Sequence, residues 1–182
     1  MKTLSILIAL LSFASTCLCS EENEYRSLFD AFQAAEKSQD WKNQVTMFLP
    51  EELKSLKQAA LSSYDRAKEK MEADGKVSSV AFSTFKGRSE IENLTPEEVF
   101  IAIRQTAAMP IDMAEKIPEM RFSKTRSENG KVFIETVTTM PGTDREVTFD
   151  LEVIEAEGRR YLRVPGLLQM IIDDGPNPKK QG

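Results

Sequence analysis

The sequence predicts an α+β fold in which N-terminal helices pack on an antiparallel β-sheet. Apolar residues recur at helical spacing up to about residue 109, and after residue 117 they alternate at every second position. Helices followed by a meander of strands are typical of α+β domains. The chain of 182 residues is 41% hydrophobic and 29% charged, which indicates an ordinary globular protein.

The N-terminal twenty residues have the layout of a secretory signal peptide. The positive charge of Lys2 precedes an apolar run from Leu4 to Ala14, and small residues then lead to the acidic Glu21. The apolar run is shorter than a membrane-spanning helix requires. We therefore expect a secreted or periplasmic protein that has no membrane span after cleavage.

Cleavage after Cys19 removes residues 1–19, and cleavage after Ser20 is the alternative. Either cut takes both cysteines away, so we expect a mature chain without a disulfide or a thiol nucleophile. A lipoprotein acylated at Cys17 or Cys19 is the competing hypothesis. The formal charge of −5 becomes one unit more negative when Lys2 is lost, which argues against nonspecific nucleic-acid binding.

The first two predicted helices are separated by a break at residues 38–40. Asp40 is a suitable N-cap for the second helix. The apolar stripe of the first helix comprises Tyr25, Leu28, Phe29 and Phe32. The stripe of the second helix comprises Trp41, Val45 and Phe48.

Two later helices carry clear start and stop signals. A long helix begins at Pro50 and ends before Gly75. Thr95 and Glu98 form a capping box for the next helix, in which Pro96 takes the first position. The stripe of the long helix comprises Leu53, Leu56, Ala60, Tyr64, Ala67 and Met71. The buried face of the next helix comprises Val99, Phe100, Ile103 and Ala107.

The second half of the chain predicts four strands, over 120–127, 131–140, 146–153 and 159–164. Asn129-Gly130 and Glu157-Gly158 are typical hairpin turns between them. We also consider a strand over Val77–Phe85 and a short closing helix over 166–173. The apolar row of the third strand comprises Val147, Phe149, Leu151 and Val153, and we expect it to face the interior.

This order of elements resembles the nuclear transport factor 2-like superfamily over about residues 22–168. The resemblance rests on the helix break at Gln39-Asp40-Trp41, the segment Phe48–Leu53, the helix start at Thr95–Glu98 and the strand from Glu157 to Tyr161. It implies a curved, cone-shaped sheet. Members include enzymes, ligand binders and interaction modules, so the resemblance leaves the function open.

Catalytic chemistry has few candidate residues in this chain. The absence of histidine from the sequence removes the commonest general base and transition-metal ligand. Glu135 shares a predicted strand face with Phe133 and Val137, and it could act as a base in a pocket with a tyrosine as oxyanion donor. Tyr161 is the second pocket candidate, although its alternation with arginines favours a surface position.

No residue is assigned here to catalysis, a cofactor or a metal. The adjacent acids Asp173-Asp174 lack the spacing of a calcium loop. We expect one domain over 20–173, with a flexible tail over 174–182. Its expected role is non-enzymatic binding of a small apolar ligand or a protein partner. A histidine-free isomerase or lyase, a lipid-anchored surface protein and a homodimer formed through the sheet remain alternatives.

Overall fold

The computed structural model describes residues 22–75, 79–108, 119–140 and 144–164, and it confirms the α+β class. Helices are followed by a curved, unclosed antiparallel sheet whose four strands are paired in chain order. The helices are α1 (22–38), α2 (Trp41–Gln44), α3 (Pro50–Asp74), α4 (Val80–Thr84), α5 (Arg88–Asn93) and α6 (Pro96–Ala107). The strands are β1 (Arg121–Glu128), β2 (Lys131–Thr139), β3 (Glu146–Ala156) and β4 (Arg159–Leu162).

The predicted break between the first two helices is confirmed, but the second helix is shorter than expected. Gln39 adopts a φ of 54°, and the Asp40 carboxylate accepts a hydrogen bond from the Asn43 backbone N–H. After α2 the chain makes one 3₁₀ turn, and Phe48 is extended rather than helical. Phe48 instead forms a parallel bridge with Leu162, so this segment joins the helices to the sheet.

The long helix α3 has the predicted boundaries. Pro50 occupies its first turn, and Gly75 ends it in the left-handed conformation with a φ of 67°. Its stripe is buried from Leu53 to Ala67. The prediction that Met71 belongs to the buried stripe is wrong, because this residue is 44% exposed. The helix continues past the groups that cover its apolar face.

The proposed strand over Val77–Phe85 is wrong for its described residues, which form the short helix α4. The Ser79 hydroxyl accepts a hydrogen bond from the Phe82 backbone N–H and so caps this helix. Ala81 and Phe85 are buried against the other helices. Helix α5 follows, although no pattern in the sequence predicted it. Burial of Ile91 anchors α5 in the core.

The capping box of α6 is confirmed in both directions. Thr95 Oγ1 accepts from the Glu98 N–H at 3.2 Å, and Glu98 Oε2 accepts from the Thr95 N–H at 2.7 Å. Val99, Phe100 and Ile103 are fully buried. The helix thus presents its apolar face to the core next to α3 and α4.

Both predicted hairpin turns are confirmed. Asn129 and Gly130 have φ values of 52° and 75°, and Glu157 and Gly158 have 53° and 72°. Two consecutive positive φ values suit the right-handed twist of the flanking strands. The register pairs Thr136 with Phe149, and β1 has an irregularity after Phe122.

One face of the sheet packs on the helices, and the other carries mostly polar side chains. Ile134, Thr136, Val153 and Leu162 lie on the core face and are buried. The expectation that the whole apolar row of β3 faces the interior is wrong at one end, because Phe149 is 49% exposed. The helices cover only the part of this row that lies near Val153.

Several predictions lie outside the described residues. These are the leader over 1–19, the closing helix over 166–173 and the tail over 174–182. The single domain over 20–173 also stays a prediction.

Candidate functional site

A groove of about 470 Å³ lies between α1 and the start of β1. Its floor is apolar: the Phe29 and Phe122 rings are 6.0 Å apart at an angle of 59°. Gln33 Nε2 donates a hydrogen bond to the Met120 carbonyl oxygen and so fixes the helix against the strand. The lining residues are Arg26, Phe29, Asp30, Gln33, Ala34, Lys37, Glu119, Met120, Arg121 and Phe122.

Two charges on the rim of this groove have no ion-pair partner among the described residues. The Arg26 guanidinium carbon lies 4.2 Å from the centroid of the Phe122 ring. Asp30 lies one helical turn further on the same face of α1. Lys37 and Glu119 are paired at 3.7 Å, but both side chains are largely exposed, so this ion pair contributes little. The groove therefore combines an apolar floor with one free charge of each sign.

A second, smaller cleft lies where α1 meets the β3–β4 turn, and three of its charged residues are paired with one another. Arg160 binds both Glu24 and Glu155, and its guanidinium lies 4.6 Å from the Tyr25 ring centroid. The Tyr25 hydroxyl donates to Glu155 at 3.0 Å. These contacts hold α1 on the sheet, which is a structural role.

A third polar cluster joins the ends of α1, α2 and α6. Glu36 accepts hydrogen bonds from Arg104 Nη2 and, at 2.6 Å, from Gln44 Nε2. The Arg104 guanidinium lies 4.3 Å from the Trp41 ring centroid. Trp41 and Gln44 are buried, and Arg104 Nε is a buried donor without a partner in the described part of the chain. These residues line neither of the two grooves described above, and the cluster clamps three helix ends together.

The two pocket candidates from the sequence, Glu135 and Tyr161, lie on the open face of the sheet. Glu135 accepts from Ser123 Oγ at 3.2 Å and lies 3.6 Å from Lys124 Nζ. Tyr161 is half-buried beside Arg159. The register places the two on different strands and about 13 Å apart along β3. The structure does not bring them together, and neither lines either groove described above.

The open face of the sheet is covered by alternating opposite charges. Arg126 contacts both Glu128 and Asp150, and these hydrogen bonds raise the pKa of its guanidinium above the usual value. Arg163 and Lys131 both contact Glu152. Most of the opposite charges on this face are therefore paired within the described residues, whereas the Arg159 guanidinium lies over the Tyr161 ring.

The residues of the α1–β1 groove were missed by sequence reasoning. Arg26, Asp30 and Lys37 are exposed residues beside the predicted apolar stripe, which is what any amphipathic helix shows. The sequence distinguishes only Arg26 and Asp30, which are opposite charges at i, i+4 spacing. In the structure these two side chains do not form an ion pair with each other. The strand that completes the groove begins more than eighty residues later.

Comparison with protein-family models, curated proteins and solved structures finds no match for this chain. Within the ranges that the structure describes, no helix has the length and apolarity needed to cross a membrane. The same ranges contain no group of three or more Cys, Asp or Glu side chains that could hold a metal ion. Fold and site thus define an α+β domain with a surface groove that has an apolar floor and a charged rim.

Proposed function

We propose that this protein is an exported, non-enzymatic binding domain on a scaffold of the nuclear transport factor 2-like type. Its ligand is a small molecule with an apolar body and polar ends, held in the α1–β1 groove. The signal-peptide pattern of residues 1–19 supports export. A helical layer on one face of a curved sheet is compatible with the scaffold.

The observation that carries the proposal is that Arg26 and Asp30, beside the Phe29–Phe122 floor, have no ion-pair partner in the part of the chain that the structure describes. Burying the apolar floor stabilises a complex by roughly 25 cal/mol per Å². A charged group is costly to cover unless the ligand pairs with it. The groove therefore selects a ligand with an apolar core that offers a carboxylate or sulfonate to Arg26, or an amine to Asp30.

The alternative of an isomerase or lyase depends on Glu135 as the base. In the structure this carboxylate lies beside Lys124 on the open sheet face, and the α1–β1 groove contains none of its atoms. The groove geometry therefore supports binding better than catalysis. An assay showing turnover that is lost in Glu135→Gln would restore the enzymatic hypothesis.

The proposal is tested by native mass spectrometry of the secreted protein and by titration with 8-anilinonaphthalene-1-sulfonate. This dye has an apolar ring system and one sulfonate. Ala34→Trp fills the groove, and Ala31→Trp places the same side chain on an exposed part of α1 that does not line it. We expect at least tenfold weaker dye binding for Ala34→Trp and less than twofold change for Ala31→Trp.

Equal dye affinity in the two variants would refute the groove as the binding site. The intact mass also tests export: a chain that begins at Ser20 or Glu21 confirms cleavage. An added acyl mass on Cys17 or Cys19 would instead support the lipid-anchored alternative.

A further inference from the structure

Phe149 is an exposed aromatic side chain on the face of the sheet that otherwise packs on the helices. It is 49% exposed, and the register sets it directly opposite the buried Thr136. Thr136 in turn is paired with Phe122, which forms part of the floor of the α1–β1 groove. Because residues paired across strands share a face, the three form one row across three strands. An exposed apolar side chain beside a groove is typical of a ligand-binding surface.

Met120 connects the groove with this row. It lines the groove, and its sulfur lies 4.0 Å from Thr136 Oγ1. The Thr136 hydroxyl has an acceptor in the Phe149 carbonyl oxygen at 3.1 Å, so it requires no hydrogen bond from a ligand. Directly opposite residues have Cβ atoms about 5 Å apart, so the row extends about 10 Å from Phe122 to Phe149. We call Phe122, Met120 and Phe149 the apolar strip, which leads out of the groove.

Arg26 and Asp30 lie at the groove end of this strip. The Arg26 guanidinium carbon is 4.2 Å from the centroid of the Phe122 ring. Asp30 lines the same groove one helical turn along α1, and its Cβ is therefore about 5–6 Å from that of Arg26. A ligand head with a single charge pairs with one of these residues and is repelled by the other. A head that carries both a carboxylate and an ammonium pairs with both.

We propose that the binding site extends from the α1–β1 groove along the apolar strip to Phe149 and takes a single-chain amphiphile with a zwitterionic head. The carboxylate binds Arg26, the ammonium binds Asp30, and the chain lies along the strip. This inference rests on the proposed function, because it names the ligand class of the same groove. A saturated chain advances about 1.3 Å per carbon, so a chain of about eight carbons covers the strip. 2-Aminodecanoic acid has such a head and such a chain.

Calorimetric titration of the purified protein with monomeric 2-aminodecanoic acid and 2-aminohexanoic acid tests the position of the chain. Each methylene that leaves water tightens binding about fourfold. The additional methylenes of the longer probe lie on an open strip, so we expect a gain of about tenfold or more rather than the full product. Phe149→Ser should reduce this ratio of affinities to less than threefold. Met71→Ser, at a residue of similar exposure on α3, should leave the ratio unchanged.

Decanoic acid tests the head, because it keeps a chain of similar length and lacks the ammonium. We expect it to bind the unmodified protein at least fivefold more weakly than 2-aminodecanoic acid. Asp30→Asn should abolish this difference, since it removes both the partner of the ammonium and the repulsion of the carboxylate. Glu97→Gln changes an exposed acid that does not line the groove, and it should preserve the difference.

Three results would overturn the inference and leave the groove as a binding site. The gain is absent in the unmodified protein, it persists in Phe149→Ser, or decanoic acid binds as tightly as 2-aminodecanoic acid. If neither amino acid binds, dye binding that Ala34→Trp blocks overturns this inference alone, and loss of the dye site overturns the proposed function with it.

Trp41 fluorescence reports whether each variant is folded. If Phe149→Ser unfolds the protein, a photoreactive diazirine at the chain end of 2-aminodecanoic acid replaces the variant. It should label β3 next to Phe149 in the unmodified protein. Labelling confined to α1 would overturn the inference.

Discussion

Replacing Glu36 by alanine tests the polar clamp between the ends of α1, α2 and α6. The carboxylate is the acceptor for both Arg104 and Gln44. Its removal leaves the Arg104 guanidinium and the Gln44 amide without their common acceptor. The Arg104 side chain is only 15% exposed, and Gln44 is only 1% exposed. Both groups lose hydrogen bonds that water cannot fully replace at their depth.

The expected loss of stability follows from these two unpaired groups. Removing one partner of a fully buried ion pair costs about 3–5 kcal/mol. Glu36 itself is 41% exposed, so water reduces the Arg104 contribution to about 2 kcal/mol. The Gln44 amide adds about 1 kcal/mol. We expect Glu36→Ala to lower the free energy of unfolding by about 3 kcal/mol, which is about 9 °C in Tm for a chain of this size.

Urea unfolding followed by Trp41 fluorescence measures this change, because the indole lies against Arg104. Glu119→Ala is the matched control, since among the described residues its carboxylate takes part only in an exposed ion pair with Lys37. The control should lose less than 0.5 kcal/mol, in the range typical of exposed pairs. A loss for Glu36→Ala as small as that of the control would show that water already solvates the clamp.

Three further predictions concern single local features. Thr95→Ala should cost about 1 kcal/mol by urea unfolding because it removes the N-cap acceptor, whereas Glu97→Ala in the same turn should cost less than half of that. Gly158→Ala should cost about 1 kcal/mol, since its φ is +72° although no atom blocks a side chain; Gly87→Ala, at a φ of −169°, should be nearly neutral in the same assay. Tyr25→Phe should lower Tm by about 3 °C in calorimetry through loss of the hydroxyl donor to the sheet, and an unchanged Tm would contradict that role.

The fold class was predictable from the sequence because its signals are local. A capping box, a proline in a first turn and a glycine after the last turn each act within a few residues, and all three are seen in α3 and α6. The two hairpin turns are equally local. Ser79 shows the limit of this reasoning, because a serine directly before an apolar run suits a weak strand as well as a helix cap. Burial of Ala81 and Phe85 against other helices decided the outcome.

The candidate site was not predictable because its two halves are distant in the sequence. Arg26 and Asp30 become notable only in the structure, where Arg26 lies over the Phe122 ring, Asp30 lines the same groove and neither has an ion-pair partner among the described residues. Glu135 was singled out for sharing a strand face with two apolar residues. That face proved to be the open side of the sheet, since the helices cover the side that bears Ile134 and Thr136. Strand alternation separates two faces but does not say which one is covered.

The hydrogen bond between Tyr25 and Glu155 has a consequence for the timing of folding. These residues are 130 positions apart, so the first helix completes its contacts only after nearly all of the described domain has been synthesised. Until β3 is present the Tyr25 hydroxyl lacks its acceptor Glu155, and contacts of such long range form slowly. The contacts of α1 with β3 and β4 therefore report on the whole described domain, because they form only when its two most distant parts are folded together.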